Sequence, residues 1–372
     1  MINGHGGNIY AMAGTLGCRP NEIIDFSSNI NPLGCMPALM EFTKEQLGSI
    51  AALPQVDSRR VINAFANYYQ IPPQCVLAGC GTTEFIYRLP AAMHMQKVLI
   101  VGPTYADYAD ACRLHGIAPD FFFTTAETAF HPDLQQLACQ AASYDTVFIC
   151  NPNNPTGVRI PLAELRDVCL GCQSTRFIID ESYLPFVPQA DQHSLVKTEA
   201  SNIIVLHSFS KIFGIPGLRI GFMLATPSII REIKKHLLPW GVNAMAHSAA
   251  EYILGRQGAV SAFMQQTWDY LEDERQALIE RMSACEKVIC FPSSTSFILC
   301  QLSDDWSAAI VCHQIGLQKM LIRDCSNFEG LNDQYIRIAL KTPGANLKLT
   351  EALLNLLNTG SGSPQQTTGA PA

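Results

Sequence analysis

The chain reads as an α/β protein, with a large domain built on a mostly parallel sheet flanked by helices and a smaller α+β domain after it. Three observations predict this. Short β-branched apolar runs alternate with amphipathic stretches between about residues 76 and 245. After about residue 245 the alternation stops, and helical and strand-like segments regroup in a different order. A chain of 372 residues, 48% apolar and 15% charged, is long for one core and apolar enough to fill two.

Taken in order, residues 1–45 are expected to form an arm that packs on the small domain and the site. Residues 46–245 form the large domain. Within it VLIV (98–101), TVFIC (146–150), RFIID (176–180), IIVLHS (203–208) and LRIGFMLA (218–225) read as buried strands, from their β-branched content and their Gly/Pro boundaries. PLAELRDVCLGC (161–172) reads as a helix between two of them. Residues 246–358 hold the small domain. A long helical stretch (244–286) leads into it, followed by strands near 287–291 and 295–302, a helix at 306–315, strands at 320–323 and 335–340, and a closing helix at 343–358. The polar TGSGSPQQTTGAPA (359–372) is expected to be a disordered tail.

Composition narrows the function. The formal net charge is −7 with no basic cluster, which argues against nucleic acid and anionic membranes as partners. No apolar run reaches the ~18–20 residues of a membrane span, and the start MINGHGGNIY has no signal-peptide pattern. The 14 cysteines are scattered, and the single CxxC of Cys169 and Cys172 has no second pair at zinc spacing. Free thiols, a cytoplasmic location and no metal site are expected, with a metal or redox role for that pair the lesser alternative.

Polar clusters follow the apolar runs: GCGTTE (79–84), GPTYADY (102–108), NPNNPTG (151–157), DESY (180–183) and HSFSK (207–211). In a parallel sheet these loops meet beyond the carboxyl ends of the strands, where ligands bind. Lys211, walled by apolar residues, has its ammonium form disfavoured and could hold an aldehyde covalently; the alternative is a lysine paired with a carboxylate at the sheet rim. Asp180 ends an apolar run, so it should be buried and in need of a cationic partner. Tyr183 and Asn154 are within reach of the same centre. Tyr105 offers a flat face for a ring, or is a core aromatic. Gly81, Thr82 and Thr83 open an apolar helical run, FIYRL, and so suit an anion; Ser208, Ser210 and Arg219 could complete that cradle.

NPNNPTG, DESY, SFSK and PGLRIGF, in this order and spacing, resemble the fold-type I pyridoxal-phosphate enzymes of the class I/II aminotransferase superfamily. The resemblance implies that fold, pyridoxal 5′-phosphate as cofactor and a homodimer. It implies that Lys211 holds the cofactor aldehyde, Asp180 its pyridine nitrogen, Asn154 and Tyr183 its phenolic oxygen, and Tyr105 its ring face, with Gly81, Thr82, Thr83, Ser208, Ser210 and Arg219 around its phosphate. HGGNIY (5–10), DFSSNINPLG (25–34), LPWGVNAMA (238–246) and LIRDCSNFEGL (321–331) further resemble the threonine-phosphate decarboxylase branch, a relative of the histidinol-phosphate aminotransferases. That branch implies a small phosphorylated amino acid as substrate, with Arg337 facing its carboxylate and Arg323, His5 and Asn29 its phosphate. Taken alone, His5 reads as a surface histidine, Asn29 as a turn residue and Arg337 as half of a rim salt bridge. One departure stands out: relatives carry a tyrosine that reaches the neighbouring subunit's cofactor phosphate, and here ALPQVDS (52–58) places Leu53 there.

Overall fold

The strands of the computed structural model, which describes residues 6–359, are β1 (Ile24–Asp25), β2 (Val76–Gly79), β3 (Val98–Gly102), β4 (Asp120–Phe123), β5 (Thr146–Cys150), β6 (Arg176–Asp180), β7 (Ile203–Ser208), β8 (Gly221–Leu224), β9 (Val288–Cys290), β10 (Phe297–Leu302), β11 (Met320–Leu321), β12 (Arg323–Asp324) and β13 (Tyr335–Ala339). Seven of them form one sheet in the order β2-β8-β7-β6-β5-β3-β4. Every residue of β2, β5, β7 and β8 is buried, the pattern of strands covered by helices on both faces. β8 runs antiparallel to both β2 and β7, and the remaining pairs are parallel. β2 is therefore parallel to β7, and the carboxyl ends of β2, β3, β5, β6 and β7 share one edge.

A second sheet, β12-β13-β10-β9, is antiparallel throughout. The arm is stitched to this region: β1 pairs with β11, the Phe26 N–H donates to the Leu321 carbonyl at 2.7 Å, and the Ala339 N–H donates to the Phe26 carbonyl at 2.8 Å. It also reaches the first sheet, where the Asn31 N–H donates to the Lys211 carbonyl at 3.0 Å and Asn31 Nδ2 donates to the Ile212 carbonyl at 2.7 Å.

The strands expected at 146–150, 176–180 and 203–208 have those bounds. Elsewhere the structure corrects the sequence reading. The strand expected at 218–225 is shorter, because Leu218 closes a 3-10 turn and Arg219 takes φ 59°. The helical stretch expected at 244–286 is two helices, Ala244–Gly255 and Gln257–Met282. They part at Arg256 (φ −115°, ψ 49°), where Gly255 lowers helix propensity. The strand expected at 320–323 is two short pieces in different sheets. Cys172 caps the helix Leu162–Gly171 rather than lying inside it, and both Cys169 and Cys172 are buried free thiols. The closing helix runs to Thr359, one residue into the expected tail; the rest of that tail, and His5, lie outside the described residues. Among the described residues no helix is long and apolar enough to cross a membrane.

Candidate active site

The shared strand edge carries a cavity of about 190 Å³, lined by Thr82, Thr83, Tyr105, Asn154, Asp180, Tyr183 and Lys211 from the large sheet, Arg323 and Arg337 from the small one, and Gly6 and Ser27–Asn29 from the arm. Each side chain is delivered by a local rule. Asp180 is the last residue of an apolar strand and is buried. Lys211 stands three residues beyond the end of β7, with Nζ 5.0 Å from the centroid of the Tyr183 ring. It has no carboxylate within 4 Å among the described residues, so the rim-pair alternative for Lys211 does not hold.

The anion cradle is built at the start of the helix Thr82–Ala92. Gly81 has φ 79°, and a Cβ there would lie 2.6 Å from Arg219 Nη2. Only glycine lets that guanidinium rest against the turn. Gly221 in β8 serves the same end: a Cβ would meet the Thr82 nitrogen at 2.6 Å. Glu84 accepts the Cys80 N–H at 2.7 Å, bracing the turn from inside the helix. Thr82 and Thr83 thus face the cavity at a helix N-terminus, with Arg219 beside them. Ser208 and Ser210 are buried but do not line the cavity. The Ser210 hydroxyl donates to the Ile220 carbonyl at 3.2 Å and its N–H to Ser208 Oγ at 3.2 Å, so both hold the Lys211 loop.

Asp180 has no cation within 4 Å among the described residues. Its Oδ1 accepts the Ser182 N–H at 2.9 Å and its Oδ2 accepts the Tyr108 hydroxyl at 2.8 Å. Neither donor was legible in the sequence, since a tyrosine inside a helix reads as core. Burial and the Asp107 carboxylate hold the Tyr105 phenol well above its ordinary range, so its hydroxyl stays protonated. The Tyr183 hydroxyl accepts from Asn29 Nδ2 at 3.1 Å, while Asn29 Oδ1 is buried without a partner.

Arg337 is 4% exposed. Its guanidinium donates to Asn154 Oδ1 and, at 2.6 Å, to the Ser27 carbonyl; Nε is buried without a partner. No carboxylate lies within 4 Å among the described residues, so the rim salt bridge read from its alternation with Ile336 and Ile338 is absent. Arg323 stands directly opposite it in the β12–β13 register, donating to Asn327 Oδ1 at 2.6 Å with its guanidinium 5.1 Å from the centre of the Phe328 ring. Like charges facing each other across a ladder repel, and among the described residues neither guanidinium has a carboxylate within 4 Å.

The arm closes the far wall. A Cβ on Gly6 would lie 2.3 Å from the Ser27 carbonyl oxygen, and the Gly7 N–H donates to Ser27 Oγ at 2.6 Å. Ser27 and Ser28 are anchored in turn by the Asp25 carboxylate. The residues fit pyridoxal phosphate: a lysine amine, a buried carboxylate short of a cation, a tyrosine face and a helix-start cradle surround one cavity. The orphaned Arg337 Nε, with two arginines that have no carboxylate within 4 Å among the described residues, suits a second, anionic molecule.

The family model for aminotransferase class I and II matches residues 21–353. The chain is 30% identical to threonine-phosphate decarboxylase of Salmonella typhimurium, over 95% of this chain and 96% of that protein. It is 31% identical to the adenosylcobalamin biosynthesis bifunctional protein of Leptospira interrogans, over 95% of this chain but only 41% of that longer protein. Among solved structures, the histidinol-phosphate aminotransferase of Clostridium acetobutylicum superposes with a TM-score of 0.83 at 27% identity, covering 90% of this chain and 99% of that one. The L-threonine-O-3-phosphate decarboxylase of Porphyromonas gingivalis does so with a TM-score of 0.81 at 27% identity, covering 91% and 100%.

Proposed function

The chain belongs to the aminotransferase class I and II family and is a pyridoxal-phosphate enzyme of the fold-type I class, and from that premise we propose that it decarboxylates L-threonine O-3-phosphate. The product is (R)-1-amino-2-propanol O-2-phosphate, the aminopropanol linker of cobalamin biosynthesis. The observation that carries this reading is the facing pair Arg323 and Arg337: two guanidiniums in register on adjacent strands, with no carboxylate partner among the described residues, at a cavity that also holds Lys211. A substrate with both a carboxylate and a phosphate supplies the anions that this pair lacks.

Pyridoxal 5′-phosphate, when bound, supplies an electron sink for the pair released as a Cα bond breaks. The chain's part is to hold it and to choose the bond. Lys211 holds the aldehyde carbon and Asp180 the ring nitrogen. Tyr105 covers the ring face, Asn154 and Tyr183 take the phenolic oxygen, and Gly81, Thr82, Thr83 and Arg219 take the phosphate, with Ser208 and Ser210 fixing the lysine loop. Arg323 and Asn29, with His5 by resemblance, would clamp the substrate phosphate, and that remote binding energy would orient the carboxylate for its loss. Arg337 must bind the carboxylate loosely, because a tight pair would stabilise the group that leaves as CO2. Its ties to Asn154 and the Ser27 carbonyl, with Nε left over, support that looser grip. Cα must then regain a proton, for which Lys211 Nζ is one candidate donor and a tyrosine or water another.

The homodimer proposed with this reading rests on an apolar face. Leu47, Ile50, Leu53, Val56, Leu238 and Trp240 are all exposed, and the Trp240 N–H donates to the Val56 carbonyl at 3.3 Å, which joins the two segments. A cytoplasmic location is proposed on the free thiols.

The test is direct. The purified enzyme loaded with pyridoxal phosphate and given threonine phosphate should release CO2 and form aminopropanol phosphate without needing a keto acid. Consumption of glutamate with histidinol phosphate formation, and no CO2, would replace this reading with the aminotransferase one. Serine phosphate should react too, since one methyl group discriminates by only about 1–3 kcal/mol.

A further inference from the structure

We infer that Tyr108 is the positioning residue for Asp180: its hydroxyl fixes the carboxylate oxygen so that the remaining lone pairs are held toward the ring nitrogen of the cofactor. The inference rests on the reading that Asp180 meets that nitrogen.

Asp180 is a buried carboxylate with no cation beside it among the described residues, and its two hydrogen bonds come from neutral donors. One is the Ser182 N–H two residues along, which any residue at 182 except proline would supply. The other, Tyr108, is the only side chain donating to this carboxylate among the described residues. Removing it leaves the acid free to turn about its last torsion, which is soft for a carboxylate.

The tyrosine itself is fixed. It is 1% exposed, and its ring stacks on Phe148 with centroids 5.3 Å apart and planes 20° from parallel. Phe148 lies in β5, whose register sets Phe148 beside Ile178 and Cys150 beside Asp180. The stack and the acid are therefore indexed by the same strand pair. Burial raises the Tyr108 phenol well above its ordinary value, which keeps the hydroxyl a donor across the working pH range. Tyr108 also meets Tyr105 edge to face, with centroids 5.7 Å apart and planes at 85°. The segment Tyr105–Tyr108 at the head of the helix Asp107–Leu114 thus places the ring-stacking tyrosine and the acid's anchor together.

The variant Tyr108→Phe keeps the stack and removes the hydroxyl. Titration of the visible absorbance of the pyridoxal-phosphate-loaded protein is the decisive readout. With its acid unanchored, the ring nitrogen is less firmly protonated, and the less electron-poor ring holds the Lys211-linked proton more tightly. The midpoint should rise by half a pH unit or more. The Kd for pyridoxal phosphate should weaken about three- to tenfold, and kcat should fall at least tenfold with KM for the phosphorylated amino acid changed less than twofold. Thermal melts of the cofactor-free protein show whether the variant is folded. Should it fail to fold, Phe148→Leu, which loosens the stack and leaves the hydroxyl, should move the midpoint the same way by less. Midpoints and Kd values that coincide with wild type would overturn the inference. A wild-type protein that takes up no pyridoxal phosphate would overturn the underlying reading, and the inference with it, in a different sample.

Discussion

Two adjacent carboxylates, Asp180 and Glu181, end the same strand run and have opposite surroundings. Asp180 turns to the cavity. Glu181 turns away and is buried, accepting from Ser194 Oγ and from the Leu195 N–H at 2.8 Å. Burial outweighs those bonds and pushes the Glu181 carboxyl up to about 7. A folded-state value raised above the unfolded one means the native state holds a proton that the unfolded chain has released. This contribution to stability is complete below the ordinary value of 4.5 and is lost as pH rises through about 7. His207, buried beside Tyr69, has the opposite sign: burial lowers it from 6.5 to about 4, so its contribution is present above 6.5 and lost as pH falls toward 4. Comparing Glu181→Gln with wild type cancels the histidine. The variant should gain on the order of 2–3 kcal/mol relative to wild type between pH 5 and 8, and paired thermal melts measure it. A flat difference would show that Glu181 is not held protonated. Lys211, Asp180, Asn154 and Tyr183 were legible in the sequence because each stands just past an apolar run whose end fixes its place. Ser182 and Tyr108 were not, since nothing in a sequence separates a tyrosine that anchors an acid from one that fills a core.

Strand pairing explains why Arg323 and Arg337 face each other. The register Leu299↔Arg337 and Arg323↔Arg337 sets one against an aliphatic neighbour and the other guanidinium across β12–β13. A ladder with like charges opposed is weaker than one with a neutral residue, by about 0.2–1 kcal/mol. Arg323→Gln should therefore raise the melting temperature of the ligand-free protein slightly while raising KM for threonine phosphate at least tenfold. A variant that loses both stability and affinity would point to a structural role through Asn327 and Phe328 instead. The buried parallel strands could be read from composition because both faces need apolar side chains. The edge strand Asp120–Phe123 escaped notice, since it is half exposed and has no clean period. The break at Arg256 lies in a continuous helical pattern, and only the backbone shows it.

At the scale of the molecule, the exposed face of Leu47, Ile50, Leu53, Val56, Leu238 and Trp240 asks for a second copy. Leu53 is 77% exposed on that face. Trp240→Glu should convert the proposed dimer to monomer in light scattering, with pyridoxal phosphate lost more readily on dialysis; an unchanged mass would remove that face from the interface. The arm matters in a way its position in the chain conceals. Within eight residues, 24–31, it bonds to Lys319 and Leu321 beside Arg323, to Ala339 beside Arg337, and to the backbone of Lys211 and Ile212. It is a splint laid across both sheets. Trimming it would remove that common datum, so that the amine and the guanidiniums would no longer be surveyed to the same point.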